Sequence, residues 1–172
     1  MKIAVLGAGS WGTTVASLVA PRHDTVLWAR NPEVAATITT DHTNPRYLPG
    51  FGLAPELSAT ADLEECVCEA DILVIGVPTS GFRRVLEEAS VWIRPWIPVV
   101  SLAKGLESGS LLRMTEVIKQ VVPGRPVAAL TGPNIATEIM SGKAAAAVIA
   151  TEDLEVAGAI QQVFTRGVFR VY

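Results

Sequence analysis

The apolar residues of this chain fall into short unbroken runs, separated by stretches in which they recur at helical spacing. Ile3-Ala4-Val5-Leu6 and Ile72-Leu73-Val74-Ile75 are each set off by a charged residue and a glycine, and Val26-Leu27-Trp28 lies between Thr25 and Ala29-Arg30. Runs of this length read as strands buried on both faces, as in a parallel sheet. Strands are expected over Lys2–Leu6 and Asp24–Trp28, and over residues 57–60, 71–77, 99–102, 127–130, 144–150 and 168–172. Helices fill the gaps: residues 13–20, residues 31–40 with Pro32 in the first turn, and residues 61–69 with Asp62 near the start. Phe82, Val85, Leu86 and Ala89 mark one further helical face, and Leu111, Met114, Ile118 and Val121 another. A short helix before Gly142 and a helix running from a Thr151 N-cap to Phe164 complete the series. Strand and helix alternate from end to end, which predicts an α/β fold with a doubly wound, mostly parallel sheet. The pattern holds no repeat and no internal break, so residues 1–172 are expected to form one domain.

The first strand runs into Gly7-Ala8-Gly9-Ser10-Trp11-Gly12 and then into a helix. G-x-G-x-x-G between a strand and a helix is the dinucleotide-binding fingerprint of a Rossmann-type domain. Gly7 permits the tight turn, Gly9 lets backbone approach a pyrophosphate, and Gly12 lets helix pack on strand. The helix N-terminus then offers unpaired N–H groups and its positive dipole end to phosphates. A glycine-rich turn that binds nothing is the competing reading. Arg30 stands about 20 residues on, at the end of the second strand, where an acidic residue would bind the ribose hydroxyl of NAD. An arginine there offers a fork of donors for a 2′-phosphate, so NADP(H) is favoured with NAD(H) tolerated. A solvated surface arginine is the alternative.

Composition narrows the picture. A net charge of −3 over 172 residues argues against a nucleic-acid surface, while one or two local cations suffice for a small phosphorylated ligand. No apolar run approaches the roughly 20 residues of a membrane span, and with a strand at the very start no signal peptide is expected. Cys66 and Cys68 are two apart and without nearby metal-ligating partners, so buried, reduced thiols, a cytoplasmic setting and no metal site are expected. His23 and His42 lack acidic or nucleophilic partners and read as structural. Trp92 and Trp96 read as packing groups, and residues 41–50 as a surface loop long enough to be functional.

Ligands of open α/β sheets bind beyond the carboxyl ends of the strands. Besides the glycine loop, those ends carry Pro78-Thr79, Lys104-Gly105 and the stretch from Thr131 to Ala136. Pro78 would adjoin a bound cofactor. Lys104 is the one cation a buried strand delivers there, suited to the negative oxygen of a ketone under hydride attack or to a phosphate. Gly132, Pro133 and Asn134 are expected to open a helix, where backbone N–H groups and the Asn134 amide meet a substrate. A lysine turned into solvent, and a proline placed for structural reasons alone, are the alternatives.

Six stretches in order carry a family resemblance: Gly7 to Thr13, Leu27-Trp28-Ala29-Arg30, Asn44-Pro45-Arg46-Tyr47-Leu48-Pro49-Gly50, Ala103-Lys104-Gly105, Thr131-Gly132-Pro133-Asn134-Ile135-Ala136, and Val168 to Tyr172. Together they resemble the N-terminal half of bacterial NAD(P)-dependent glycerol-3-phosphate dehydrogenase. That resemblance implies reduction of dihydroxyacetone phosphate to sn-glycerol 3-phosphate for phospholipid synthesis. It implies that Ser10, Trp11, Arg30, Lys104 and Ala136 contact the cofactor, and Lys104, Gly132 and Asn134 the substrate. The family usually has Ser or Thr, then Phe, where this chain has Asn134 and Ile135. It also continues into a helical domain with the catalytic lysine and phosphate-binding residues, which residues 1–172 do not contain; the full-length protein is expected to be a homodimer. Another NAD(P)-dependent hydroxyacid dehydrogenase, or a non-enzymatic dinucleotide sensor, are the alternatives.

Overall fold

The computed structural model describes all residues from Met1 to Tyr172. The strands are β1 (Lys2–Leu6), β2 (Asp24–Trp28), β3 (Thr43–Asn44), β4 (Leu48–Gly52), β5 (Ser58–Thr60), β6 (Ile72–Ile75), β7 (Val99–Ser101), β8 (Val127–Thr131), β9 (Ala145–Thr151) and β10 (Phe169–Val171). The helices are α1 (Ser10–Val19), α2 (Pro32–Asp41), α3 (Leu63–Val67), α4 (Thr79–Ala89), α5 (Met114–Val121), α6 (Ala136–Met140) and α7 (Leu154–Phe164). Eight strands form one sheet in the order β10-β9-β8-β7-β6-β1-β2-β5, parallel except where β8 meets β9. No helix is long and apolar enough to cross a membrane.

Both faces of the sheet are covered, which is why its strands read as continuous apolar runs. One face packs on α1, α2, α6 and α7, and the other on α3, α4 and α5. β1 pairs with β2 on one side and β6 on the other. The chain thus winds outward in both directions from β1, and the crevice between the ends of β1 and β6 is the topological switch point.

Local chemistry accounts for the helix ends. The Asn31 side chain accepts from Glu33 N ahead of Pro32, and Asp62 caps α3 by accepting from Glu65 N. The cap of α7 is Asp153, which accepts from Glu155 N and Val156 N; Thr151 instead ends β9. An N-cap side chain reaches the N–H groups two and three residues on, so Asp153 meets the first turn while the Thr151 hydroxyl accepts from Asp153 N at 3.4 Å.

Several expectations are corrected. Residues 41–50 are not a simple loop: β3 and β4 pair antiparallel in a small hairpin. Leu111 is not on α5 but in the loop before it, exposed, with φ +59. Cys68 is exposed rather than buried, whereas Cys66 is fully buried. Burial pushes the Cys66 thiol up to about 12. Trp96 is exposed beneath the Arg94 guanidinium, 5.8 Å from its ring centroid, instead of packed.

Candidate functional site

Three glycines meet at the switch point. Gly7 turns the chain at φ +109, a region closed to most side chains, and a Cβ there would lie 3.0 Å from the Gly76 carbonyl carbon. A Cβ on Gly12 would lie 2.0 Å from the Gly7 oxygen, and one on Gly76 3.2 Å from the Gly12 Cα. Three backbone segments are therefore in direct contact, and α1 starts immediately against the ends of β1 and β6. Gly9 is the opposite case: a Cβ there would meet nothing within 4 Å. It caps α1 with extended backbone and no side-chain acceptor, leaving the first-turn N–H groups uncapped.

These elements border a cleft of about 540 Å³. Its walls are Gly7 to Trp11, Trp28 to Asn31, Val34, the hairpin residues Arg46 and Tyr47, and Gly76 to Pro78. A second cleft of about 380 Å³ adjoins it, lined by Gly76 to Thr79, Leu102 to Lys104 and Asn134. Trp11, Gly76, Val77 and Pro78 line both. Trp11 is held edge-on against Phe169 of β10, with centroids 6.2 Å apart.

The structure thus brings Gly7, Gly9, Ser10, Trp11, Arg30 and Pro78 to one cleft, and Lys104 and Asn134 to its neighbour. Gly12 lies behind the first as a packing contact. Ala136 lines neither cleft; it opens α6 and packs toward the core on the α1 side. Gly132 is the carbonyl partner of Lys104, whose Nζ donates to it at 2.8 Å. That partner is neutral, so the lysine keeps its charge uncompensated. Gly132 and Asn134 precede α6 rather than begin it, so they act from a loop.

Lys104 sits on a braced loop. Arg83 of α4 donates from Nε and Nη2 to the two Glu107 carboxylate oxygens at 2.7 and 2.8 Å. Ser110 Oγ adds a 2.6 Å bond to the same carboxylate, and Arg83 also reaches Gln120 of α5. The Arg83 hydrogen bonds hold the Glu107 carboxyl down at about 2. Residues 105–113 are therefore pinned to both helices, three residues from the lysine.

The Asn134 side chain is unusual. Its Oδ1 and Nδ2 are both buried, and neither finds a partner in the protein. Buried amides left unpaired are costly, and one that lines a cleft is matched by a ligand offering both a donor and an acceptor. The larger cleft fits a dinucleotide on independent grounds. Gly9 leaves open the space a Cβ would fill, the uncapped end of α1 faces it, and Arg30 borders it with no carboxylate partner in the protein. His23 and His42 line neither cleft.

Gly76, Arg46 and Tyr47 belong to the site although the opening motif does not mark them. Gly76 was legible as a glycine ending the most apolar strand. Arg46 and Tyr47 needed the hairpin, because only tertiary contact brings residue 46 beside residue 30.

Comparison with known proteins agrees with this geometry. The family described as NAD-dependent glycerol-3-phosphate dehydrogenase N-terminus matches residues 2–157. A relative from Sphingopyxis alaskensis, glycerol-3-phosphate dehydrogenase [NAD(P)+] 2, is 54% identical over 172 residues, which are all of this chain and 52% of that protein. A relative from Mycobacterium avium, glycerol-3-phosphate dehydrogenase [NAD(P)+], is 49% identical over 99% of this chain and 50% of its own. The crystal structure of glycerol-3-phosphate dehydrogenase from Coxiella burnetii superposes with a TM-score of 0.92 at 29% identity, covering 99% of this chain and 53% of that one. The chain spans about half the length of these relatives.

Proposed function

The chain belongs to the NAD-dependent glycerol-3-phosphate dehydrogenase family, and from that premise we propose that it is the dinucleotide-binding part of an enzyme interconverting dihydroxyacetone phosphate and sn-glycerol 3-phosphate. One observation carries the reading: two clefts share the wall Trp11 and Gly76 to Pro78, with the glycine loop on one side and Lys104 with Asn134 on the other. A bound dinucleotide supplies or accepts a hydride at its nicotinamide. Gly9 and the first turn of α1 receive the pyrophosphate, Ser10 and Trp11 border it, and Arg30 meets the adenosine end. Pro78 lies where the two ligands adjoin.

Lys104 and Asn134 then hold the substrate. The ammonium faces developing negative charge or a phosphate, and is already steered by the Gly132 carbonyl. The Asn134 amide supplies the paired donor and acceptor that a hydroxyketone and its alcohol both require. Asn134 thus does the work of the serine or threonine usual in the family. Ala136 enters only indirectly, by seating α6 behind the loop that carries Asn134.

Residues 1–172 form the dinucleotide-binding domain, and a following helical domain of the longer relatives completes the substrate site and brings the catalytic lysine. The same reading includes a cytoplasmic location, which two free thiols suit, a homodimeric longer protein and no nucleic-acid partner. The test is an amide NMR titration of this chain, first with NADPH and then with dihydroxyacetone phosphate. NADPH is expected to shift residues 7–13 and 28–31, and the ketone to shift Lys104 and Asn134 only once NADPH is present. Shifts from the ketone elsewhere overturn the substrate assignment. Enzyme-like oxidation of NADPH by this chain alone overturns the division between domains.

A further inference from the structure

The chain has 14 lysine and arginine residues. Seven stand in ion pairs with carboxylates. Arg22, Arg125 and Arg166 donate to backbone carbonyls, and Lys104 donates to Gly132 O. The three that remain, with no hydrogen-bond or ion-pair partner in the protein, are Arg30, Arg46 and Arg170. Two of those three line the same cleft, although they come from different elements 16 positions apart. We propose that Arg46 is the second cation of a 2′-phosphate site, and that Arg30 and Arg46 together make this cleft selective for a 2′-phosphorylated dinucleotide. The proposal rests on the dinucleotide reading above and deepens it.

The placement supports this end of the ligand over its pyrophosphate. The glycine loop follows β1, whereas Arg30 follows the neighbouring strand β2, one strand removed from the phosphates. Arg46 also borders a side hollow of about 210 Å³ between the start of α2 and the hairpin. Glu33 borders that hollow but forms an ion pair with neither arginine, and the larger cleft has Arg30 and Arg46 in its wall and no carboxylate. No carboxylate ends β2, where a site built for a free ribose hydroxyl would need one.

Arg46 is also held ready. Two residues before it, Asn44 is fully buried and donates from Nδ2 to Ala8 O at 2.9 Å and to Thr13 Oγ1 at 2.8 Å. Two residues after it, Leu48 is fully buried. The turn between them is closed by Tyr47 N donating to Asn44 O. Arg46 therefore projects from a turn fastened to the glycine loop itself, with its guanidinium 5.4 Å from the Tyr47 ring centroid. A turn fixed beforehand leaves only the side chain's own freedom to be lost when its cation meets a phosphate.

The experiment titrates the wild-type chain, Arg46→Gln, Arg46→Lys and Arg170→Gln with NADPH and with NADH, using adenosine 2′,5′-bisphosphate and AMP as competitors. Arg46→Gln is expected to weaken NADPH and the bisphosphate about tenfold or more, and to change NADH and AMP less than about twofold. Arg46→Lys recovers part of the loss, and Arg170→Gln, the third unpartnered cation, changes nothing. Thermal unfolding confirms that each variant is folded, and Arg46 is exposed, so folding is not at stake. Equal losses for NADPH and NADH, or no loss for either, overturn the proposal. Equal wild-type affinity for the two dinucleotides overturns it too, while leaving the dinucleotide reading intact. A folded wild-type chain that binds neither overturns both.

Discussion

Gly12 and Gly9 lie in the same loop, yet the structure gives them opposite jobs, and alanine at each separates the two. At Gly12 the added methyl would stand 2.0 Å from the Gly7 carbonyl oxygen. Ordinary contact begins near 3.4 Å, so α1 must move off β1 by more than an ångström. The obstacle is backbone on both sides, with no side chain to swing away. Overpacking of this kind costs about 1–3 kcal/mol, and each kcal/mol moves the melting temperature of a domain this size by about 2–4 °C. At Gly9 the methyl meets nothing within 4 Å, and the backbone is extended at φ −69, which alanine adopts freely. Lower unfolded-state entropy and the loss of a good capping residue roughly offset, so stability stays within about 1 kcal/mol of wild type. The methyl instead occupies the floor of the cleft. Gly12→Ala is therefore expected to lower the thermal midpoint, while Gly9→Ala keeps it and loses NADPH. The assays are thermal unfolding by circular dichroism and a dinucleotide titration below the midpoint. A Gly9→Ala chain that binds NADPH like wild type, or a Gly12→Ala chain that melts like wild type, refutes the reasoning.

Asn44→Ala removes two bonds that hold the glycine loop from behind, so it is expected to cost about 1–3 kcal/mol and to speed amide hydrogen exchange across residues 8–13; unchanged exchange there contradicts the clamp. Glu107 has its folded-state value held down at about 2 by Arg83, below its ordinary 4.5. A depressed carboxyl stabilises the fold above its unfolded value and loses that contribution as pH falls from about 4.5 through about 2. Denaturant unfolding across that window should therefore be flatter in Glu107→Gln than in wild type, and parallel curves rule the pair out as a source of acid sensitivity. Native chain should react with a thiol reagent at neutral pH through Cys68 alone, Cys66 becoming available only on unfolding, because burial raises its thiol to about 12; two rapid equivalents in the folded state contradict this.

Much of the sheet was legible because its strands are buried on both faces. Continuous apolar runs, ended by glycine at β1 and β6 and by Arg30 just past β2, place these three strands nearly to the residue, and a strand–glycine–helix sequence locates the switch point before any coordinate does. Lys104 was legible for the same reason, since a lysine directly after a buried strand has to emerge at the ligand end. Periodicity misled where one apolar residue extended a true pattern. Leu111 falls three before Met114, but the chain there folds back through a bridge between Leu106 and Arg113, and Leu111 is left exposed at positive φ. The reversal at β9 left no trace either, because an apolar run reads the same in both directions. Asn44 and Arg46 were beyond local reading altogether. Their roles arise from contacts 31 and 36 residues away for the first, and from a shared cleft for the second.

The central claim is that the crevice beyond β1 and β6 is a dinucleotide site, and Trp11 and Trp28 line it while Trp92 and Trp96 sit in the connector between α4 and β7, at the opposite ends of the parallel strands. Titrating the folded chain with NADPH and following tryptophan emission tests this directly. The account predicts a saturable change with one site per chain, largely lost in Trp11→Phe and reproduced more weakly by NADH. No saturable change in a chain that still unfolds cooperatively, or a change that survives unaltered in Trp11→Phe and Gly9→Ala together, would contradict it.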